Sequence, residues 1–254
     1  MNPADAFASV VSDPDLGERL DDAALALAAA RGESVDLDAA RQQLDRLAER
    51  CDAPTFEGVM TCIRQAGFTG NLAAYYEAAN SYLDQVLARR MGIPITLSIL
   101  TIAVGRRVGV PIVGVGMPAH FLVGSPDGER FADPFNGIDH LDPAACGRLF
   151  EDVIAPGVRF DPAYLQPAAP TDIIRRMLNN LTAIFRGTHA RSDLVWSTEL
   201  ATRLPDAAEA DERAHIDALA ASGRFDAAAL RLDRLGSTEP GDAARAEALR
   251  ARLN

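Results

Sequence analysis

The chain has 254 residues, of which 48% are hydrophobic and 24% are charged, a composition typical of globular proteins. Its net charge of −11 argues against binding nucleic acid through phosphate neutralisation, except at a local patch around Arg175 and Arg176. There is no apolar run of about 18 residues and no leader pattern at the N-terminus, so we expect a cytoplasmic protein without a membrane span. All 25 of its Lys and Arg residues are arginines, which excludes a lysine Schiff base and a P-loop lysine.

The first 67 residues are predicted to be helical. Apolar residues recur about every 3.6 positions over 16–30 and 36–51, which is the spacing of one buried helix face. Ser34 and Asp36 are candidate N-terminal caps for the second of these helices, because their side-chain oxygens can accept from the first free N–H groups.

A break and a short helix lead to the most apolar helix of the chain. The segment 68–71 is predicted as the break. A helix is predicted to start at residue 82 and run through residue 90, with Gly92 as the residue that ends it. Pro94 suits the first position of the next helix, 94–107, which is apolar on almost every side. A helix of that kind is buried, so we predict that 94–107 is the central helix of the fold.

Three short strands are predicted after the central helix, over 111–117, 119–124 and 129–133. A turn centred between Pro126 and Asp127 would pair 124 with 129, 122 with 131 and His120 with Asp133. Directly opposed residues share a face of the sheet, with Cβ atoms about 4.5–5.5 Å apart. An aspartate set against a histidine can fix its tautomer and stabilise the imidazolium, so the pair predicts the orienting half of a catalytic triad.

Helices alone are predicted beyond residue 165, after one further helix capped by Asp142. The segments 194–205 and 230–240 both end at a proline, and these two prolines are 35 residues apart. Between them, 220–228 combines a small-residue helix, a Gly-aromatic turn and the start of a second helix. This pattern is typical of a tetratricopeptide unit, whose period is about 34 residues.

Several motifs together resemble the SirB1 family. They are the segments 80–81, 86–98, 106–111, 118–123 and 133–137, in that order, and the similarity extends over roughly 35–240. The resemblance implies an α+β fold with a transglutaminase-like, papain-like core, in which a central buried helix lies on a small antiparallel sheet. It also implies three regions: N-terminal helices packed on the core (1–67), the core (68–165) and a tetratricopeptide-like helical region (166–254).

The same resemblance identifies where a nucleophile would be. Active transglutaminase-like enzymes carry a cysteine at the N-terminus of the central helix, where free N–H groups and the helix dipole stabilise a thiolate. Here that position is Pro94, 15 residues before Gly109, and proline has no nucleophilic group. Only His120 and Asp133 of a Cys-His-Asp triad would then remain.

Other nucleophiles are alternatives. Ser98 lies one turn beyond Pro94 on the same helix face, and it is either a nucleophile or a packing serine bonded to a carbonyl one turn back. Thr96 and Ser81 are also near in sequence, and Cys62 lies on a preceding helix. The chain has three cysteines and no Cys-x-x-Cys pair: Cys51, Cys62 and Cys146.

Further candidate residues flank the His-Asp pair. Asn80 precedes a helix and is either an oxyanion-hole amide or a helix cap. Asn136 and Gly137 favour a tight turn after the last strand. Asp139 and His140 follow that strand, and with the His-Asp pair they are an alternative metal site, although no His-x-x-x-His spacing is present.

We predict a catalytically degenerate transglutaminase-like protein that binds a peptide or protein partner through the former catalytic cleft and the helical tail. We expect no cofactor, no metal and no nucleic acid. The alternative is a hydrolase or acyl transferase with His120 as base, Asp133 as orienting group and Ser98 as nucleophile. The residues expected at the cleft are Asn80, Pro94, Thr96 and Asn136.

Overall fold

The computed structural model describes residues 2–32, 35–152, 154, 158–236 and 241–252. Two compact units make up the chain: a core unit, Pro14–Met177, and a helical unit, Met1–Asp13 with Leu178–Asn254. The helices are α1 (Pro3–Val11), α2 (Leu20–Ala29), α3 (Leu37–Ala48), α4 (Phe56–Gln65), α5 (Leu83–Arg89), α6 (Pro94–Arg107), α7 (Pro143–Glu151), α8 (Pro170–Gly187), α9 (Arg191–Ala201), α10 (Glu209–Ala221), α11 (Phe225–Leu235) and α12 (Asp242–Ala251). The strands are β1 (Thr69–Gly70), β2 (Met91–Gly92), β3 (Val113–Val115), β4 (Leu122–Gly124), β5 (Phe131–Asp133) and β6 (Ile138–Leu141).

These units divide the chain differently from the three predicted regions. Residues 1–13 group with the C-terminal helices, and the second boundary lies inside α8, between Met177 and Leu178. The three-region division therefore stays a prediction. The predicted cap at Ser34 and the predicted helix end at Pro240 lie outside the described residues.

The central helix α6 begins and ends at the predicted residues. Its first residue is Pro94, which suits this position because the first helical N–H has no intrahelical partner. The helix stops beyond Arg107, and Gly109 follows with a φ of +74°, a conformation that a glycine adopts without strain. Within the core unit, α6 packs against α2 to α5 and against β3 and β4, as its apolar surface on all sides requires.

The sheet on which α6 packs has four antiparallel strands in the order β3-β4-β5-β6. This arrangement of a buried helix on a small antiparallel sheet agrees with the α+β prediction. Strand β3 lies at one edge, as expected from Pro118 between the first two strands. The fourth strand, β6, was not predicted, since four residues with a single hydrophobic alternation give little signal.

The predicted register of the hairpin is wrong by two residues. Val123 pairs with Ala132, and Gly124 pairs with Phe131 rather than with residue 129. Beyond the strands, the backbone N–H of Ser125 donates to the carbonyl of Arg130 at 2.9 Å. The connection is therefore the four-residue loop 126–129. The predicted two-residue turn at Pro126 and Asp127 would pair Ser125 with residue 128, and the bond from Ser125 to Arg130 would not form.

A second correction concerns the helix that was predicted to end at Gly92. Helix α5 ends at Arg89, because Arg90 adopts a left-handed backbone with a φ of +58°. The next two residues form β2, which pairs in parallel with β1 in the segment that was predicted as a break. A Cβ on Gly70 of β1 would lie 2.6 Å from the ring of Phe135, so glycine allows that ring to approach the strand.

The predicted helical character of the N- and C-terminal regions is confirmed at several points. Asp36 caps α3 by accepting from Ala39 N at 2.9 Å, and Asp142 caps α7 by accepting from Ala145 N at 2.6 Å. In the helical unit, Gly223 separates α10 from α11 with a φ of +83°, at the predicted turn. Buried residues of α9 to α12 form one apolar cluster, which gives this unit a core of its own.

Candidate functional site

His120 and Asp133 come together in the core unit, although His120 lies outside β4. The Nδ1 atom of His120 is 3.7 Å from Oδ2 of Asp133. When the observed register is extended, Asp133 falls opposite Leu122, so His120 approaches it as a diagonal neighbour. The predicted pair therefore forms, but through a different strand alignment from the one expected.

Asp133 also organises the turn between β5 and β6. Its Oδ1 accepts from the backbone N–H groups of Phe135 and Asn136 at 3.0 and 3.1 Å, and its Oδ2 accepts from Asn136 Nδ2 at 2.7 Å. Gly137 completes the turn with a φ of +69°, as predicted. The carboxylate thus holds the hairpin turn and faces His120 at the same time.

The protonation of Asp133 follows from these contacts. Burial raises the pKa of its carboxyl, while the contacts with His120 and Asn136 lower the pKa by more, so that it lies below its ordinary value. The group is therefore ionised at neutral pH. A buried carboxylate in that state can orient the imidazole of His120 and stabilise its protonated form.

The other nitrogen of His120 lacks a hydrogen-bond partner among the described residues. Nε2 is buried and makes no hydrogen bond within the part of the chain that the structure describes. The preceding residue, Ala119, has a φ of +63°, which is sterically unfavourable for a residue with a Cβ. An unpaired buried polar atom beside a strained backbone is a combination that recurs at binding and catalytic sites.

The N-terminus of α6 contains Pro94 and Thr96, both predicted cleft residues. Pro94 is half-buried, whereas Thr96 is fully buried. The Thr96 hydroxyl donates to the carbonyl of Asn80 at 2.7 Å and accepts from Ile93 N at 3.1 Å, so it fastens the start of the helix. Pro94 remains the partly accessible residue at this helix end, and it brings no reactive group.

Ser98 lies in the interior of α6 and is fully buried. Its hydroxyl donates to the carbonyl of Phe121 at 3.3 Å, across to the segment that follows His120. The expected bond to a carbonyl one turn back is therefore replaced by a tie between the helix and the sheet. Since Pro94 is one turn earlier on the same face, that face of α6 is directed toward the His120 segment.

Asn80 belongs to a buried amide network. It caps no helix, because its Nδ2 donates to the carbonyls of Ala74 and Tyr75 at 2.7 and 3.3 Å. Its Oδ1 accepts from Asn71 Nδ2 at 3.1 Å, and Asn71 Oδ1 accepts from Ala74 N at 3.1 Å. The amide therefore holds the loop 71–76 in place, and its N–H groups are already used.

None of the three thiols forms a hydrogen bond to His120 in the described residues. Cys62 donates to the carbonyl of Leu47 at 3.3 Å, away from the pair. Burial raises the pKa of Cys51 to about 12. Burial, together with the charges of Asp142 and Asp133, raises the pKa of Cys146 to about 11. The environments of Cys51 and Cys146 therefore oppose thiolate formation, which a nucleophilic cysteine requires.

Arg176 of α8 is a neighbour of His120 that the sequence indicated only as part of a basic pair. Its Nη2 donates to the carbonyl of His120 at 2.9 Å, and its guanidinium lies 5.2 Å from the ring centre of Phe121. Burial lowers the pKa of Arg176, and the nearby phenol of Tyr75 acts in the opposite direction. Arg176 and His120 are 56 positions apart in the sequence, which explains why no local pattern could have paired them.

The alternative metal site does not form. Within the described residues, no group of three or more His, Cys, Asp or Glu side chains is placed to hold a metal ion. Asp139 instead pairs with Arg64 at 2.9 Å. Among the described helices, none combines the length and apolar character needed to cross a membrane.

The fold and this site can now be compared with known proteins. The family model described as "Transglutaminase-like superfamily" matches residues 37–179, which is more than half of the chain and includes α6, the sheet and both members of the His-Asp pair. The chain therefore belongs to the transglutaminase-like superfamily.

Bacterial relatives extend the comparison. The chain is 40% identical over 131 residues to the UPF0162 protein of Xylella fastidiosa (strain 9a5c), a match that covers 50% of this chain and 47% of that protein. It is 30% identical over 125 residues to UPF0162 protein PA3419 of Pseudomonas aeruginosa, covering 49% and 46%. The matched region thus spans about half the length of these curated relatives.

A shorter match links the chain to a eukaryotic protein. It is 49% identical over 59 residues to the human F-box only protein 21, covering 23% of this chain and 9% of that protein. No solved structure matches the chain. The comparisons therefore give a family and a set of relatives, while the role of the site rests on its own geometry.

Proposed function

We propose that this chain is a catalytically degenerate, cytoplasmic bacterial protein of the SirB1 family that binds a peptide or protein partner. The observation that carries the proposal is Pro94 at the N-terminus of α6, where a transglutaminase-like enzyme would have its cysteine. Proline supplies no nucleophile and removes one of the N–H donors that would stabilise an oxyanion. We propose no cofactor or metal for this function.

The state of the cysteines supports loss of acyl-transfer chemistry. A thiol with a pKa of about 11 or 12, as for Cys146 and Cys51, is almost entirely protonated at neutral pH. The cleft residues Asn80, Thr96 and Asn136 use their side chains in internal hydrogen bonds. We propose that they shape the surface beside the His-Asp pair and contribute no catalytic group.

The competing proposal is a hydrolase or acyl transferase that uses His120, Asp133 and Ser98. The unpaired Nε2 of His120 favours it, because a general base needs a free nitrogen. Against it, Ser98 is fully buried, and its hydroxyl donates a hydrogen bond to the carbonyl of Phe121. Catalysis would require this hydroxyl to break that bond and become accessible.

We also propose that the C-terminal helices form a tetratricopeptide-like region that takes part in partner binding. Helices α10 and α11 with the intervening Gly223 have the small-residue helix, turn and helix order of such units. The proposed regions are 1–67, 68–165 and 166–254, with the His-Asp pair in the second.

Chemical labelling distinguishes the two proposals. The full chain, the Ser98→Ala variant and the His120→Ala variant would be treated with a fluorophosphonate probe, and amine incorporation into a glutamine-containing protein would be measured in parallel. We expect no labelling above that of Ser98→Ala and no amine incorporation. Labelling of the wild type that both substitutions abolish would replace the binding proposal with the hydrolase.

Binding itself is tested by exposing the immobilised full chain to a library of capped seven-residue peptides and sequencing those retained. We expect a defined family of peptides to be enriched. Absence of any enrichment would contradict peptide recognition, whatever the outcome of the labelling experiment.

A further inference from the structure

The loop 71–76 presents an apolar surface to solvent. Leu72, Tyr75 and Tyr76 are exposed by 75%, 38% and 78%, and they are three of the five large hydrophobic residues that are exposed among the described residues. Tyr75 packs edge-on against Tyr76 and against Phe135, with ring centres 5.2 and 5.8 Å apart. Concentration of exposed aromatic and aliphatic side chains in one short segment is typical of an interaction surface.

Buried hydrogen bonds to its backbone hold the loop 71–76 in position. The side-chain amides of Asn71 and Asn80 are hydrogen-bonded to each other. Asn71 accepts from the backbone N–H of Ala74 in the loop, and Asn80 donates to the carbonyls of Ala74 and Tyr75. Buried hydrogen bonds of this kind restrict the backbone, so the loop itself would lose little conformational entropy when a partner binds. The loop is therefore a prearranged surface.

Beside the loop lies Arg176, a cation that no carboxylate of the described residues neutralises. Arg176 donates one hydrogen bond, to the carbonyl of His120, and packs on the face of Phe121. No carboxylate pairs with it in the part of the chain that the structure describes, and the titratable neighbour that influences its pKa is the Tyr75 phenol, whose own pKa is raised by burial so that it is neutral at pH 7. An arginine remains charged even when half-buried, so its remaining N–H groups are available to an anion.

Charge complementarity identifies the partner. The chain as a whole carries a net charge of −11, and arginines such as Arg31, Arg107 and Arg213 are neutralised by carboxylates of the chain itself. Arg176 is thus a localised positive site, near Tyr75 of the exposed apolar loop. A carboxylate that is flanked by apolar groups matches each of these features.

We propose that Arg176 and the loop 71–76 bind an internal segment of a partner protein, in which a Glu or Asp side chain pairs with Arg176. The neighbouring apolar side chains of that segment pack on Leu72, Tyr75 and Tyr76. This inference rests on the proposed function and specifies its partner. A side-chain carboxylate is favoured over a C-terminal one, because terminal carboxylates are typically held by converging backbone N–H groups, whereas the free donors here belong to one guanidinium.

Two matched libraries of capped seven-residue peptides test the proposal on the full chain, one with Glu and one with Gln at the centre and random residues elsewhere. We expect the wild type to retain Glu peptides about tenfold more strongly than Gln peptides, as a charge-assisted bidentate hydrogen bond allows. Arg176→Gln should bring this ratio to about one, and Arg176→Lys should give an intermediate ratio because lysine keeps the charge without the planar fork.

Two controls separate this effect from others. Arg186→Gln makes the same charge change at an exposed position of α8 and should leave the ratio unchanged. Tyr76→Ala should weaken retention from both libraries equally, because it removes apolar contact area without touching the cation. Circular dichroism would verify that each variant is folded.

The failure of this inference differs from the failure of the proposed function. Equal retention of Glu and Gln peptides by the wild type, or an unchanged ratio in Arg176→Gln, would overturn the carboxylate site and leave peptide binding in place. Retention of neither library would overturn both proposals.

Discussion

Two histidines illustrate that the core unit and the helical unit differ in how completely their buried polar groups are hydrogen-bonded. His215 of α10 is 2% exposed, and its Nδ1 lies 3.1 Å from the hydroxyl of the buried Thr198. His120 of the core unit faces Asp133 with one nitrogen and leaves the other unpaired. The first histidine is part of a packed interior, whereas the second retains an unused hydrogen-bonding group.

The contrast extends beyond these two residues. Among the described residues, the buried side-chain nitrogen and oxygen atoms without a partner are on Ser81, Arg89 and His120, all in the core unit. In the helical unit, even the buried Asp242 has a two-point contact with Arg213, at 3.1 and 3.0 Å. Unsatisfied buried polar groups destabilise a fold, so these three groups set the core unit apart from the well-satisfied interior of the helical unit.

The largest expected effect concerns His215. Burial and the nearby charges of Arg231 and Arg224 lower its pKa to about 4, so the folded state holds it neutral while the unfolded chain protonates it below about pH 6.5. The stability that depends on neutral His215 is therefore complete above pH 6.5 and is lost as the pH falls toward 4. The loss is about 3 kcal/mol, as the linkage between a pKa shift and stability requires.

Urea unfolding followed by the fluorescence of Trp196, which is the single tryptophan and lies in the helical unit, measures this loss. The His215→Leu variant removes the titration and should lose much less stability between pH 7 and pH 4.5. If the free energy of unfolding falls by the same amount between pH 7 and pH 4.5 in the wild type and the variant, His215 is protonated in the folded state without a cost in stability.

A smaller effect is expected at Asp133. In Asp133→Asn, Oδ1 can still accept from the turn, but the new amide nitrogen faces the donor Nδ2 of Asn136 and the ring of His120. We expect a loss of about 2 kcal/mol of unfolding free energy at pH 7, which is typical for a buried donor left unpaired. Because the pKa of Asp133 is lowered, this difference should shrink as the pH falls below about 4.

Near-ultraviolet circular dichroism follows this variant, because all four tyrosines lie in the core unit. Asp139→Asn is a matched control, since it removes a partly exposed carboxylate that pairs with Arg64 and should cost less than about 1 kcal/mol. If both substitutions cost the same, the hairpin turn does not depend on the charge of Asp133.

The parts of the fold that sequence could predict are those in which one local signal dominates. Helix α6 was predicted from its first to its last residue, because Pro94, an all-round apolar pattern and Gly109 all agree. The hairpin register was missed because Ser125 determines the loop length: its hydroxyl accepts from Arg130 N at 3.1 Å and its N–H donates to Arg130 O. Such side-chain bonds do not alter hydrophobic periodicity, so pattern analysis does not detect them.

The candidate site was predictable to a similar extent. His120 and Asp133 were paired correctly because they are close in sequence and a diagonal approach tolerates an error of two residues. Arg176 approaches His120 only through the packing of α8, and the exposure of Tyr75 depends on the buried amide of Asn80. Contacts of this kind arise from tertiary structure and have no local signature.

A third prediction uses Pro94→Cys to ask whether the cleft still activates a nucleophile. A thiol at the first position of α6 gains the helix N-terminus and lies on the face directed toward His120. We expect it to react with iodoacetamide at pH 7 about tenfold faster than an ordinary exposed cysteine, through a pKa lowered by about one unit. The native thiols give little background, since they are buried or have raised pKa values.

The control is Arg191→Cys, which places a cysteine at the first residue of α9 in the helical unit, a helix end at which the described residues form no His-Asp pair. The new thiol at position 94 should lose most of its extra reactivity toward iodoacetamide when His120→Ala is added. The reaction rate of the control thiol at position 191 should not change when the same substitution is added. Equal rates at the two helix ends would indicate that His120 is not directed toward Pro94.

The smallest effect is expected from relief of backbone strain beside His120. Ala119 has a φ of +63° in the core unit, and His189 has a φ of +56° in the helical unit, where it follows α8. Glycine removes the steric cost of this conformation but adds freedom to the unfolded chain, so Ala119→Gly should stabilise the core unit by about 0.5 kcal/mol. His189→Gly should change stability less, since histidine adopts this conformation more readily than alanine does. Destabilisation by Ala119→Gly in urea unfolding would show that the backbone beside His120 carries no stored strain, which would weaken the contrast between the two units.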